Sequence, residues 1–228
     1  MILLNLLLDT LLPRHCAVCD KRLDLGEHGI CIDCLQQLPT TKEDNVWDNL
    51  TTRLFWGKVN IEKGYSLMFY QRESKSQHIF SQMKYRGHDD LCRQMGTTLA
   101  AHAKKLGLFD EIDVIVPVPL HKTRQRERGY NQSEQIARGI SVLTDIPVST
   151  EIVHRSRNTK SQATLNARER IDNVKGAFTV NGREAAQHNH ILIVDDTITT
   201  GNTVMEIIRE IQRVAPHCKI SICSIGLV

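Results

Sequence analysis

Aromatic side chains are scarce in this chain, where they make up 5% of 228 residues. Proteins that bind single-stranded nucleic acid commonly stack its bases on such rings, and few of the aromatic residues here lie among the basic ones. Internal repeats and low-complexity tracts are missing, and the apolar start Met1–Leu12 is far too short to span a bilayer. These shortages argue against a membrane-spanning protein, a repeat protein and an obvious base-stacking surface.

The apolar start also lacks the features of a signal peptide. Met1–Leu12 has no basic leading region, contains Asn5 and Asp9, and is not followed by a small-residue cleavage site. We therefore expect a soluble, cytoplasmic protein. Six leucines of this stretch fall on one helical face, which predicts a short amphipathic helix packed on the body of the protein. A contact with a membrane or a partner is the alternative.

Four of the seven cysteines form two C-x-x-C pairs separated by 11 residues: Cys16, Cys19, Cys31 and Cys34. Two such pairs present four thiolates at the short spacing that a tetrahedral Zn²⁺ site requires, and so small a segment gains its fold from the metal. Disulfides or a redox motif are the alternatives, but without a secretory signal the thiols should be reduced. We predict a structural zinc ribbon. The other three are predicted to be small buried hydrophobic residues: Cys92, Cys218 and Cys223.

The order of the predicted elements indicates an α/β fold. Val114–Val116 and Ile191–Val194 are continuous apolar runs, which are typical of strands buried on both faces of a sheet. Helices are predicted over Asn131–Leu143 and Thr203–Val214, and a further one from the spacing of Ala167, Ile171 and Val174. Because strands and helices alternate, we predict a parallel sheet flanked by helices.

Three regions follow from this organisation. Residues 1–40 are predicted to hold the amphipathic helix and the zinc ribbon, and residues 41–62 to form a connecting segment of mixed polarity without a clear period. Residues 63–228 form the predicted α/β domain.

The most informative stretch is Ile191–Thr203, with the sequence ILIVDDTITTGNT. A buried strand ends in two acids, and a hydroxyl-rich turn then opens a helix. Ligands of open α/β sheets bind at the carboxyl ends of the strands, where Asp195 and Asp196 can accept hydrogen bonds from the vicinal hydroxyls of a sugar. An Asp-rich turn without a ligand is the alternative, but the order of these features favours a sugar-phosphate site.

The turn after the two acids is suited to a phosphate dianion. Thr203 and Glu206 have the spacing of a capping box, which predicts a helix that begins at Asn202 or Thr203 and directs its first N–H groups into the same crevice. Hydroxyl groups and the close backbone approach that glycine allows complete a phosphate cup. Its predicted residues are Thr199, Thr200, Gly201, Asn202 and Thr203. Ribose 5-phosphate fits both the acids and the cup.

All thirteen residues of this stretch resemble the signature of the type I phosphoribosyltransferases, which use 5-phosphoribosyl-1-pyrophosphate. The chain also resembles the ComF family of predicted phosphoribosyltransferases, bacterial proteins linked to competence and DNA uptake. Val116–Leu120, Arg124 and Arg128–Gln132 are similar to that family's pyrophosphate loop. Residues 155–178 resemble its middle segment, and the paired C-x-x-C resembles its zinc ribbon. Asn202 stands where Ser or Ala is more usual, which should not disturb a cup lined by backbone.

Positive charge is concentrated in two segments that suit such a substrate. Residues 120–138 carry a net charge of +3, and residues 155–175 carry +4. Lys122, Arg124 and Arg128 follow the strand Val114–Val116, so we expect them to neutralise the pyrophosphate together with Mg²⁺ carried by the substrate. A solvated turn is the alternative for each of these residues.

The resemblance implies a phosphoribosyltransferase-like protein that binds 5-phosphoribosyl-1-pyrophosphate and acts in DNA uptake, natural transformation or nucleotide handling. The alternative is a competence module that binds single-stranded DNA and keeps a non-catalytic sugar-phosphate pocket. The candidate partners are therefore the sugar phosphate, single-stranded DNA and DNA-uptake proteins. Fold does not decide between these functions, because the acceptor specificity of this fold lies in variable segments.

Overall fold

The computed structural model describes residues 13–85, 87–156 and 176–228. Four strands form a parallel sheet in the order β1-β6-β5-β2. Their bounds are β1 Gly64–Phe69, β2 Val114–Pro117, β5 His190–Ile198 and β6 Lys219–Leu227. The strands in the middle are apolar on both faces, because helices cover both sides of the sheet. The predicted parallel sheet flanked by helices is confirmed.

The remaining strands form a separate antiparallel pair. β3 (Val153–Arg155) pairs with β4 (Phe178–Val180), whereas regular alternation would have placed both in the parallel sheet. The helix predicted from Ala167, Ile171 and Val174 lies outside the described residues, as does the predicted helix in Met1–Leu12.

Eight α-helices are assigned within the described part of the chain. Their bounds are α1 Ile32–Gln36, α2 Leu50–Arg53, α3 Lys75–Gln82, α4 Asp89–Ala103, α5 Lys122–Arg128, α6 Gln132–Thr144, α7 Gly182–Ala185 and α8 Asn202–Val214. A 3₁₀ turn over Lys104–Leu106 follows α4. Helix α5 contains Lys122, Arg124 and Arg128, for which a solvated turn was the alternative to pyrophosphate binding. None of the helices in the described ranges has the length and apolar character needed to cross a bilayer.

Helices α4 and α6 pack closely against each other through two glycines. A Cβ atom at Gly96 would collide with the carbonyl of Ile136, and one at Gly139 would collide with the carbonyl of Arg93. The Thr97 hydroxyl donates to the Gly139 carbonyl at 3.1 Å across the same interface. This pair covers one face of the sheet and carries the first turn of α6 to its carboxyl edge.

The segment 41–62, which was predicted to be a connecting segment, packs on the sheet. The N–H of Thr41 donates to the carbonyl of Leu67, and the N–H of Gly64 donates to the carbonyl of Val46. Val46 and Phe55 are fully buried. This segment therefore covers the outer edge of β1, whose unpaired backbone groups would otherwise be exposed.

Candidate functional site

A cleft of about 370 Å³ lies at the carboxyl edge of the parallel sheet. Its walls come from the residues at the ends of all four strands, which is the place where open α/β sheets bind ligands. Five cations and two acids line it: Arg72, Lys84, Arg124, Arg128, Arg155, Asp195 and Asp196. This excess of positive charge favours an anionic ligand.

The two acids lie near the end of β5, which continues past them to Ile198. Asp195 Oδ1 accepts hydrogen bonds from the Ser133 hydroxyl at 3.2 Å and from the Asp196 N–H at 2.9 Å. Burial, and then the neighbouring Asp196 carboxylate, raise the pKa of Asp195 to about 8. A second negative charge on this pair is therefore unfavourable, and ligand hydroxyls or a cation would stabilise it.

The turn after β5 is built around a left-handed glycine. Gly201 has a φ of 74° and is the N-cap of α8, and a Cβ there would lie 3.1 Å from the ring of Phe55. Thr199 and Thr203 line the cleft, whereas Thr200, Gly201 and Asn202 do not. The Thr200 hydroxyl is buried without a hydrogen-bond partner among the described residues.

The capping box predicted from Thr203 and Glu206 is wrong. The helix has no side-chain cap, because Gly201 takes the N-cap position and Glu206 accepts a hydrogen bond from the N–H of Gly176 at 2.7 Å instead. No side-chain cap therefore occupies the N-terminus of α8, and the N-terminus of a helix favours an anion.

Three arginines converge on the side of the cleft next to β2. Arg124 and Arg128 come from α5, and Arg155 comes from β3, where its guanidinium lies 5.3 Å from the centre of the Phe178 ring. Burial and the neighbouring Arg128 lower the pKa of Arg124. Burial and the neighbouring Arg124 likewise lower the pKa of Arg155. These cations repel one another in a partly desolvated place, and a pyrophosphate would relieve that repulsion.

Lys122 is not brought into this cleft. It lines a wider, more open groove of about 870 Å³ together with Arg126 and Tyr130. Arg128 lines both the groove and the cleft. The helical spacing of α5 explains the division, because Arg124 and Arg128 are four residues apart on one face and Lys122 and Arg126 share another.

One short segment, residues 129–132, organises the surroundings of the cleft. Gln132 Oε1 accepts a hydrogen bond from Arg128 at 2.8 Å, and the Asn131 amide donates to the carbonyl of Val118 at 3.0 Å. The Tyr130 hydroxyl lies 2.9 Å from the carbonyl of Met83 and 3.0 Å from that of Tyr85. The segment thus fixes the loop after β2 and the turn after α3 relative to each other. The sequence carried no local signal for the Tyr130 contacts, which join residues 45 or more positions apart.

The four ribbon cysteines are placed so that they can hold one metal ion. The four Sγ atoms of Cys16, Cys19, Cys31 and Cys34 lie within 4.8 Å of one another, and those of Cys19 and Cys31 are 3.7 Å apart. Zn–S bonds of about 2.3 Å in a tetrahedron give sulfur separations of about 3.8 Å. The N–H groups of Val18 and Cys31 donate to Cys16 Sγ at 3.4 Å each. The donor set and its spacing support a structural zinc ion.

Two family models match the chain. The model described as "Phosphoribosyl transferase" matches residues 153–226, and the one described as "Double zinc ribbon domain" matches residues 7–45. The first match contains both acids and the whole phosphate cup, and the second contains all four ribbon cysteines.

The curated proteins that are similar to this chain include a competence protein F, a DNA utilization protein and a competence protein ComFC. Competence protein F of Haemophilus influenzae is 37% identical over 102 residues, which cover 44% of each protein. DNA utilization protein YhgH of Escherichia coli O157:H7 is 27% identical over 226 residues, which cover 88% of this chain and 92% of that protein. Competence protein ComFC of Bacillus subtilis is 24% identical over 189 residues, which cover 83% of this chain and 68% of that protein. The alignment with Competence protein F thus spans less than half of that protein.

Proposed function

Because this chain belongs to the ComF family, we propose that its cleft binds 5-phosphoribosyl-1-pyrophosphate and that the protein acts in DNA uptake or utilisation. The role in DNA uptake is supported by the names of its relatives, Competence protein F and DNA utilization protein YhgH. The ligand is supported by the chemistry of the cleft. The residues that match the phosphoribosyltransferase model, 153–226, contribute Arg155, Asp195 and Asp196 to that cleft.

The observation that carries the proposal is the arrangement of three complementary groups along one edge. Asp195 and Asp196 suit the ribose hydroxyls, and the turn formed by residues 199–203 suits the 5-phosphate. Arg124, Arg128 and Arg155 lie on the β2 side, where the pyrophosphate on ribose C1 would extend. The pyrophosphate would neutralise the neighbouring arginines, and the ribose hydroxyls would donate hydrogen bonds to the two acids.

In such a site the protein contributes positioning and charge neutralisation, and no side-chain nucleophile is required. The C1–O bond to pyrophosphate breaks, and pyrophosphate leaves with the bonding electrons. The arginines stabilise the negative charge that develops on the leaving group, and Asp195 and Asp196 face the electron-poor ribose. Magnesium carried by the substrate's pyrophosphate would add positive charge at that group, and the carboxylates are oxygen donors of the type it prefers.

The groove beside the cleft favours a second candidate function, the binding of single-stranded DNA. Lys122 and Arg126 face this groove, and Tyr130 adds an aromatic ring to its lining. Single-stranded DNA bound in this groove would lie next to the cleft, because Arg128 borders both the groove and the cleft. The two functions can therefore be separated by variants on the two faces of α5.

The test compares Arg124→Ala with the double variant Lys122→Ala/Arg126→Ala. Calorimetry with 5-phosphoribosyl-1-pyrophosphate and Mg²⁺ should show binding to the parent protein, and Arg124→Ala should weaken it about 10- to 100-fold because one charged hydrogen-bond donor is removed. The double variant should bind the sugar ligand like the parent. In a salt titration of oligonucleotide affinity, the double variant should flatten the log–log slope by roughly 0.7 for each DNA phosphate that the protein no longer neutralises.

Each outcome bears on one function. No calorimetric binding by the parent, or the same sugar-ligand affinity in Arg124→Ala and the parent, would refute the sugar-phosphate site. Unchanged DNA affinity and salt slope in the double variant would remove the groove from consideration. A loss of DNA affinity in Arg124→Ala with unchanged sugar binding would favour the binding module alone.

A further inference from the structure

The cleft extends beyond the two acids to the far side of the sheet. At this end it is lined by side chains that follow β1 and β6 and by the α3 region: Tyr70, Arg72, Phe80, Lys84 and Val228. We call these five residues the acceptor end. β1 lies two strands from β5, and strands are about 4.8 Å apart, so the residues after β1 lie roughly 10 Å from Asp195 along the edge.

The role of this end as the acceptor site follows from the proposed function, on which the inference rests. The three arginines lie toward β2, on one side of the acids, and the acceptor end lies on the opposite side. A nucleophile attacks ribose C1 from the face opposite the leaving group. An acceptor would therefore approach from the β1 side.

The chemistry of this end is aromatic and cationic. The rings of Tyr70 and Phe80 contact each other with their centroids 5.5 Å apart and their planes tilted by 54°. Arg72 and Lys84 are exposed, and no ion pair of either is formed among the described residues. The acids that line the cleft in the described structure are Asp195 and Asp196, and both lie at the predicted ribose position.

The backbone that carries these side chains is held firmly. The Ser76 hydroxyl accepts from the N–H of Gln71 at 3.0 Å, and the Ser74 hydroxyl donates to the Gln71 carbonyl at 2.7 Å, directly before Arg72. The Tyr130 hydroxyl lies within hydrogen-bonding distance of the carbonyls on both sides of Lys84. A Cβ at Gly226 of β6 would collide with the ring of Phe80, so this glycine lets the ring reach the sheet. The backbone of the acceptor end is therefore preorganised by these contacts.

We propose that the acceptor end binds a planar aromatic ring that bears a negatively charged group. The ring packs on Tyr70, and Arg72 and Lys84 bind the charged group. In the transfer step, the lone pair of a ring nitrogen forms the bond to ribose C1 as pyrophosphate departs with the electrons of the C1–O bond. A proton on that nitrogen passes to water. The charged group is either a carboxylate on the ring or a phosphate on an attached sugar.

The experiment uses pairs of rings that differ in charge. Orotate is compared with uracil, nicotinate with nicotinamide, and uridine 5′-phosphate with uridine. Each compound is titrated calorimetrically into the full-length protein, with and without 5-phosphoribosyl-1-pyrophosphate and Mg²⁺. We expect the charged member of at least one pair to bind on the order of tenfold more tightly than its uncharged partner. The first two pairs test a ring carboxylate, and the third tests a phosphate.

The variants Arg72→Gln and Lys84→Gln should each remove about tenfold of that preference and leave the affinity for the sugar ligand within about twofold. Lys105→Gln, an exposed lysine in the 3₁₀ turn after α4, is the matched control and should keep the preference. Equal binding within every pair, no binding of any charged ring, or a preference that survives both variants would overturn the proposal. Failure of the sugar ligand to bind would refute the proposed function separately, and the ring titrations of the unliganded protein would still decide this one.

Discussion

At the scale of single residues, the cleft places charged side chains close to others of the same sign and away from water. Asp195 is paired with a second acid, and its pKa is raised to about 8 chiefly by burial. Burial also lowers the pKa of Arg124 and that of Arg155, and a neighbouring arginine lowers each of them further. Perturbed pKa values of this kind cluster at functional sites. We therefore expect the residues that favour the ligand to lower the stability of the free protein.

The variant Asp195→Asn should change the stability of the free protein in a way that depends on pH. The pKa of Asp195 is about 8 in the folded protein, whereas the ordinary pKa of an aspartate is 3.8. The protonated carboxyl therefore stabilises the fold at low pH, and this contribution is lost as the pH rises toward 8. The amide keeps the Oδ1 acceptor for Ser133 but does not ionise. Thermal unfolding at pH 8.5 should give the variant a Tm about 2–4 °C above the parent, which corresponds to about 1 kcal/mol for a chain of this size. The difference should shrink toward pH 5.

The same variant should bind 5-phosphoribosyl-1-pyrophosphate more weakly at pH 8.5, because the ribose hydroxyls lose a charged acceptor. Asp44→Asn, at an exposed position far from β5 in sequence, serves as the control and should leave both the Tm and the affinity unchanged. A Tm difference that is the same at pH 5 and pH 8.5 would show that the fold does not raise the pKa of Asp195.

At the scale of elements, the contact between α4 and α6 holds the cleft residues in place. Ser133 and Gln132 lie in the first turn of α6, and the two glycines Gly96 and Gly139 set how near α6 lies to α4. The periodicity of apolar residues predicted α6 correctly. It did not predict the separation of α4 and α6, because that depends on which small residue meets which carbonyl after the chain has folded.

Gly139→Ala should therefore destabilise the protein by about 1–3 kcal/mol, since the added methyl group overlaps the Arg93 carbonyl and forces the helices apart. Denaturant unfolding gives the free energy of unfolding directly. Val142→Ala on the same helix is the control: Val142 is 73% exposed, and its truncation should cost less than about 0.5 kcal/mol. An equal effect of the two substitutions would mean that α4 and α6 can separate freely.

At the scale of the whole molecule, the zinc ribbon shares its hydrophobic core with the α/β domain. Cys16, Leu23 and Ile30 are buried in the same cluster as Met83 and Leu91. A Cβ at Gly29 would collide with the backbone of Leu91 at the start of α4. The ribbon thus packs beside the turn that carries Lys84, and removal of its metal should affect the stability of the entire fold.

We expect purified protein to contain about one Zn²⁺ per chain and Cys31→Ser to lose it, as measured by metal analysis. Chelation should lower the Tm of the whole protein rather than unfold a separate ribbon, because the two regions share a core. Cys218→Ser, which lies outside the ribbon, should retain the metal. Stoichiometric zinc in a variant without all four ribbon cysteines would contradict the assignment.

Local patterns in the sequence determined the elements and the chemistry of short segments. The parallel strands, the two long helices, the cysteine pairs and the run from Asp195 to Thr203 all follow from residues that are close together in the chain. Their physical basis is local: apolar periodicity, metal-ligand spacing and the geometry of a strand-to-helix turn. The capping box failed because it was inferred from local spacing alone, whereas Glu206 accepts from the distant Gly176.

The tertiary structure alone decided which distant residues meet. It brought Arg155 beside Arg124, turned Lys122 away from the cleft, and set the Tyr130 hydroxyl between the carbonyls that flank Lys84. It also laid the segment 41–62 over the edge of β1. Such contacts depend on strand order, helix separation and the burial of polar groups against partners far along the chain, and no local pattern of side chains encodes them.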